Sequence, residues 1–210
     1  RDLRMSRGLG DVYKRQIVTT SAENWSMEEL SSVSIDDEKA GETIVDYLIE
    51  HGHTKIAEIG ANLELSQTAR LRHNGYLNSL KKHGITPDER YYERARFSYD
   101  SAYRAMKKLL EKDIEITAVY AISDVMAIGA LRAILDKGLR VPEDISITGF
   151  DGSTLAEYYN PKIVSIRQPH KDMAARSVEL LFNMIDLHKG SCHEIIPFEL
   201  TEGESVARID

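Results

Sequence analysis

The chain is expected to fold as an α/β protein, a parallel sheet with helices on both faces. Short runs of β-branched residues alternate along it with amphipathic segments of ten to eighteen residues. Polar caps open several of the helical segments and glycines close them. The composition agrees: 42% hydrophobic and 29% charged residues are ordinary values for a soluble globular chain.

Ile17-Val-Thr-Thr20 and Ser32-Val-Ser-Ile35 read as the first strands. Asp37 to Glu50 comes next as a helix, with Ala40, Ile44, Tyr47 and Leu48 at helical spacing, and Gly52 suits the left-handed end. Lys55 to Ala61 is the next strand, Ser66 to His83 a second helix with Leu71, Tyr76 and Leu80 on one side, and Tyr91 to Phe97 a strand. Asp100 to Lys112 is helical, Ala118 to Ile122 a buried type of strand, and Ser123-Asp124 opens a helix that Gly138 closes. Ile145 to Phe150 and Val164 to Gln168 are strands, Asp172 to Lys189 the last helix, and Ile195 to Leu200 a final strand.

Charge is unevenly placed. Arg1 to Gln16 hold five Lys/Arg and two Asp, a balance of +3, so the remainder carries −10 of the total −7. Such a body repels phosphate backbones, and any DNA binding by the intact protein needs a separate basic module. The first sixteen residues share no periodicity with the segments after them and are set aside as a non-native or disordered leader. The one cysteine, Cys192, excludes an internal disulfide and fits a reducing, cytoplasmic setting. No apolar run has the length of a membrane span.

In parallel sheets, ligands sit beyond the carboxyl ends of the strands. Those ends are Leu63 to Arg72, Phe97-Ser98, Ser123-Asp124 and Asp151-Gly152. Carboxylates, donors and one aromatic ring suit a polyhydroxylated small molecule: polar groups bind hydroxyls and the ring takes the C–H face.

Five segments carry a family resemblance. Gly138-Leu-Arg-Val-Pro-Glu-Asp-Ile-Ser-Ile-Thr-Gly-Phe-Asp151 is close to a signature G-x-x-V-P-x-D-x-S-x-x-G-F-D, and the others are Gly52-His-Thr-Lys-Ile56, Ala69-Arg-Leu-Arg-His-Asn-Gly-Tyr76, Ser123-Asp-Val-Met-Ala-Ile-Gly129 and Ser165-Ile-Arg-Gln-Pro169. In this order and spacing, from about Ser32 onward, they resemble the lactose/galactose repressor (LacI/GalR) family. The resemblance implies a periplasmic-binding-protein-like (type I) fold of two lobes and a homodimer. It implies a small-molecule effector, a sugar, held between the lobes, so that binding shifts a conformational equilibrium and with it affinity for operator DNA. It also implies that this chain enters late in the N-terminal lobe, after the helix-turn-helix: residues 17–53 and 168–190 would be part of that lobe, and 54–167 with 191–210 the C-terminal lobe. The stretch Phe198-Glu-Leu-Thr-Glu-Gly-Glu-Ser-Val206 looks like members governing galactoside or related glycoside use.

The motifs carry effector-site residues with them. Arg72 matches the arginine that grips the effector and Asp151 its carboxylate partner. Phe97 falls where an aromatic often stacks on the ligand, though it reads equally as core. Ser123 stands where many members have Asn. Gln168 lies at a crossing between lobes. Asp36, near another crossing, is a candidate to reach the cleft, although a helix cap is its simpler role. Asp151 could also cap a helix from Ser153 onward, and Asp124 reads as a cap or first-turn residue.

Other chemistries find little support. His51-Gly-His53 lacks a third ligand and reads as a helix end, so no metal or cofactor is expected. Cys192-His193 lacks an orienting third group. Neither a dinucleotide fingerprint nor a phosphate-binding P-loop occurs, and no enzyme is expected. The competing reading is a secreted sugar-binding protein serving a transporter, which would share the fold.

Overall fold

A computed structural model describes residues 18–19, 31–187 and 192–209. The leader Arg1–Gln16, Ile17 and Thr20 of the first expected strand, and the end of the last helix beyond Leu187 lie outside the described residues.

The chain divides into two compact units: residues 1–36 with 169–197, and residues 37–168 with 198–210. In the first, strands β1 (Val18–Thr19), β2 (Ser31–Ser34) and β8 (His193–Ile195) form a parallel sheet in the order β1-β2-β8. Helix α6 (His170–Leu187) packs on β1 and β2.

The second unit has a six-stranded sheet in the order β4-β3-β5-β6-β7-β9. Its strands are β3 (Ile56–Gly60), β4 (Tyr92–Arg94), β5 (Ala118–Ala121), β6 (Ser146–Asp151), β7 (Val164–Arg167) and β9 (Glu199–Thr201). All pair in parallel except β9, which runs antiparallel to β7. Helices α1 (Asp37–Glu50) and α2 (Gln67–Lys82) lie on one face, where Tyr120 and Phe150 point. On the other face are α3 (Tyr99–Glu111) and α4 (Asp124–Asp136), with Ala127 of α4 against Gly149. A one-turn helix, α5 (Thr154–Tyr158), follows β6. The core is the fully buried set Ile59, Tyr120, Ile122, Met126, Leu131, Ile147 and Phe150 with the inner faces of the helices.

Three expectations are corrected. The helix 37–50 and the loop 51–53 belong to the larger unit, because α1 packs along α2, and residues 191–197 belong to the smaller one, because β8 pairs with β2. The single strand expected at 195–200 is two strands in different units, separated at Pro197, which has no N–H to give a ladder. Leu71 is half-buried, and the inward stripe of α2 runs instead through Ala69, Arg72, Gly75, Tyr76, Ser79 and Leu80.

That stripe explains a glycine in the Ala69–Tyr76 motif. A Cβ on Gly75 would fall on the backbone of Glu38 and Glu42, 2.6 Å from the Glu42 nitrogen, and one on Gly41 would lie 2.7 Å from the Arg72 carbonyl oxygen. The two helices therefore meet backbone to backbone, which brings the start of α1 close to Arg72. Gly75→Ala is expected to destabilise the fold by about 1–3 kcal/mol through overpacking, read as a lower urea midpoint. An unchanged midpoint would show that the helices part without cost.

Candidate functional site

Helix α2 begins at Ser66, whose hydroxyl accepts the Ala69 N–H at 3.2 Å, and two turns in it delivers Arg72 to the carboxyl end of β5 and β6. Arg72 is 3% exposed, an unusual depth for a guanidinium. Burial of that charge demands acceptors, and three elements supply them. Nε donates to Asp37 Oδ1 at 2.8 Å, and Nη1 donates to the Ile122 carbonyl at 2.7 Å and lies 3.5 Å from Asp151 Oδ1. The guanidinium plane rests on Phe150, its carbon 3.6 Å from the ring centroid.

Asp151 ends β6 with φ 121°, a left-handed value that non-glycine residues rarely adopt. Its Oδ1 accepts from Gln168 Nε2 at 2.9 Å, and about a third of its side chain meets solvent. Burial raises its pKa to about 6; Arg72 opposes the rise, the charge of Asp124 adds to it, and Gln168 opposes it.

The structure brings Arg72, Asp151 and Gln168 into one polar cluster, Asp151 ion-paired with Arg72 and hydrogen-bonded by Gln168. Ser123 lies buried at the same strand ends, where its hydroxyl caps α4 by accepting the Met126 N–H at 3.3 Å, leaving its O–H to donate. Phe97 follows β4 at 45% exposure and takes no part in the hydrogen-bonded cluster. Asp36 is exposed and belongs to the smaller unit. The cap of α5 is Ser153, which accepts the Ala156 N–H, so Asp151 does not fill that role.

Asp37 is not among the sequence candidates, yet it is the nearer of the two carboxylates paired with Arg72. A signal for it exists: counting down from Leu48 through Ile44 and Ala40 at helical spacing reaches Asp37, on the buried stripe. A second tie holds α2 to the sheet. His73 Nδ1 is 2.6 Å from Oε2 of the fully buried Glu58, and Tyr76 donates to the Ile56 carbonyl at 2.9 Å. Burial raises the pKa of Glu58; for His73 burial works downward, but the Glu58 carboxylate outweighs it and raises the imidazole.

The histidines at 51 and 53 have protein partners. His51 Nδ1 meets the Tyr47 carbonyl at 2.8 Å, and His53, 1% exposed, is held between Thr117 Oγ1 and the Ala207 carbonyl, with burial depressing its pKa. Among the described residues, no group of three His, Cys, Asp or Glu is placed to hold a metal ion. No helix among them is long and apolar enough to cross a membrane.

The larger unit is thus an α/β sheet with a buried arginine and carboxylates at the carboxyl ends of its strands. The sequence pattern of the periplasmic binding protein-like domain matches residues 45–206, and the chain belongs to that family, within it to the LacI/GalR type of effector-binding core. It is 41% identical over 179 residues to the transcriptional regulator MalR of Clostridium butyricum, covering 85% of this chain and 53% of that protein. It is 36% identical over 173 residues to the repressor CytR of Escherichia coli K12, covering 82% and 50% respectively. The solved complex of the regulator CelR with cellobiose superposes with a TM-score of 0.85 at 28% identity, covering 98% of this chain and 71% of that one. The chain spans about half the length of the curated relatives it matches.

The raised Asp151 pKa has a consequence for stability. From the unfolded carboxylate pKa of about 4 up to the folded value, the folded chain binds more proton than the unfolded one. The stability this group contributes is complete below that window and is lost as pH rises through about 6. Asp151→Asn is therefore expected to unfold at a higher urea concentration than wild type at pH 7.5 and at the same concentration at pH 4. A gain of equal size at both pH values would show that Asp151 is not the titrating group.

Proposed function

We propose that the chain is the effector-sensing core of a sugar-responsive transcription repressor, acting in the cytoplasm as a homodimer and reaching operator DNA through a separate basic module. The observation that carries this is the buried Arg72. Two carboxylates, Asp37 and Asp151, hold it at the carboxyl ends of the strands, about a third of the Asp151 side chain meets solvent, and Ser123 lies buried at the same strand ends with its O–H free to donate. A guanidinium and a carboxylate side by side recognise adjacent hydroxyls, the first donating and the second accepting. The effector is a neutral sugar, a galactoside or related glycoside, with no chemical turnover. By binding one conformation more tightly than another, the sugar shifts their populations, and operator affinity changes with them.

A thermal-shift screen against galactosides, maltose, cellobiose, ribose, sugar phosphates and purines tests the reading. A sugar at a hundred times its dissociation constant adds about 2.7 kcal/mol of stability. For a chain of this size, at about 2–4 °C per kcal/mol, that raises the midpoint by about 5–11 °C. The shift is expected to vanish in Asp151→Asn and in Arg72→Lys, which keeps the charge that Asp37 needs but loses the planar fork. A response to purines with none to any sugar would replace the proposed effector class.

A further inference from the structure

Asp124 opens helix α4 but does not serve it as a cap. Ser123 already fills that role, and the Asp124 carboxylate, 1% exposed, turns away from its own helix toward β6 and β7. Oδ1 accepts from Ser165 Oγ at 2.6 Å, and Oδ2 accepts from the Ser153 N–H at 2.6 Å. Ser165 Oγ in turn accepts the Gly152 N–H at 3.1 Å. A Cβ on Gly149 would collide with Asp124 Oδ1, so β6 is shaped around this oxygen. One buried carboxylate thus ties together the end of β6, the start of α5 and strand β7.

The segment enclosed by those ties is Asp151-Gly152, with φ of 121° and 64°. A left-handed conformation at a non-glycine residue persists only where its surroundings over-determine it. Here the surroundings are two donors converging on one carboxylate, and bonds to a charged acceptor are the strong kind.

We propose that Asp124 is a positioning residue of the effector site, whose carboxylate locks the Asp151–Ser153 turn so that the Asp151 side chain faces Arg72. Its weight for effector binding rests on the sugar-sensing reading; its hold on the turn does not. Asn at this position offers one acceptor where two donors converge, and it removes the negative charge beside Asp151.

The test is carboxyl and amide NMR on wild type, Asp124→Asn and Ser165→Ala, with Asp144→Asn as an exposed control. In Asp124→Asn, hydrogen exchange at the Ser153 amide is expected to accelerate roughly tenfold or more, the effect of losing one charge-assisted bond. The Asp151 carboxyl is expected to titrate at lower pH than in wild type, because a repelling neighbour is gone. A general loss of stability would not produce that downward shift while the rest of the spectrum stays native. Ser165→Ala keeps the charge and serves if the Asn variant does not fold: Gly152 and Ser153 should both exchange faster. Wild-type exchange at these amides, or an unmoved Asp151 titration in Asp124→Asn, would overturn the proposal. None of these readouts needs a sugar. If the NMR changes appear and the thermal screen finds no sugar, the positioning role stands and the sugar reading falls.

Discussion

The burial of one guanidinium organises the larger unit. An unpaired arginine at the depth of Arg72 would be prohibitively costly, and breaking its pair with Asp37 is worth about 3–5 kcal/mol because the partner is left buried and charged. The remedy draws on distant parts of the chain: a carboxylate from α1, a carbonyl at the end of β5, and a ring and a carboxylate from β6. The helices must then meet closely enough for Asp37 to reach, which is why Gly41 and Gly75 face each other's backbones.

A polar layer lies beneath that cluster. Glu58, Tyr120 and Thr148 stand side by side on neighbouring strands and point to the α1–α2 face, each with a buried oxygen lacking a protein partner among the described residues. Glu58 is pinned by His73, the residue after Arg72, and Tyr76 stacks on Tyr120 one turn along. Helix α2 is therefore fixed by directional contacts at residues 72, 73 and 76 rather than by apolar packing alone. Apolar packing tolerates small slides, whereas hydrogen bonds to fixed strand positions do not. For the helix that carries Arg72, that difference sets how accurately the guanidinium is placed against Asp37 and Asp151.

The polar groups of the site are only partly satisfied by the protein. Arg72 is committed to Asp37, the Ile122 carbonyl and Asp151, while about a third of the Asp151 side chain meets solvent. Asp151 sits in a strained backbone conformation and titrates near neutrality, two departures from ordinary structure at one residue. Departures of this kind gather where a structure gives up local stability for a ligand contact. Both fall on the last residue of the G-F-D motif.

The alternation of strands and helices, the caps at Ser66 and Ser123 and the candidates Arg72 and Asp151 are legible in the sequence, because periodicity, capping chemistry and motif spacing are local properties. Other features need the folded chain. Two adjacent aspartates, Asp36 and Asp37, look alike in a sequence, and the phase of a helix packed on its neighbour decides which one faces the arginine. Pro197 stands in plain view, but that it separates strands of two different units comes from pairing with β2 on one side and β7 on the other. The extra role of Asp124 arises from contacts spanning up to 41 residues, and the raised pKa of Asp151 arises from burial that no local pattern encodes. Composition and spacing fix which groups are available, while distance and desolvation, set only by tertiary packing, decide which of them act together.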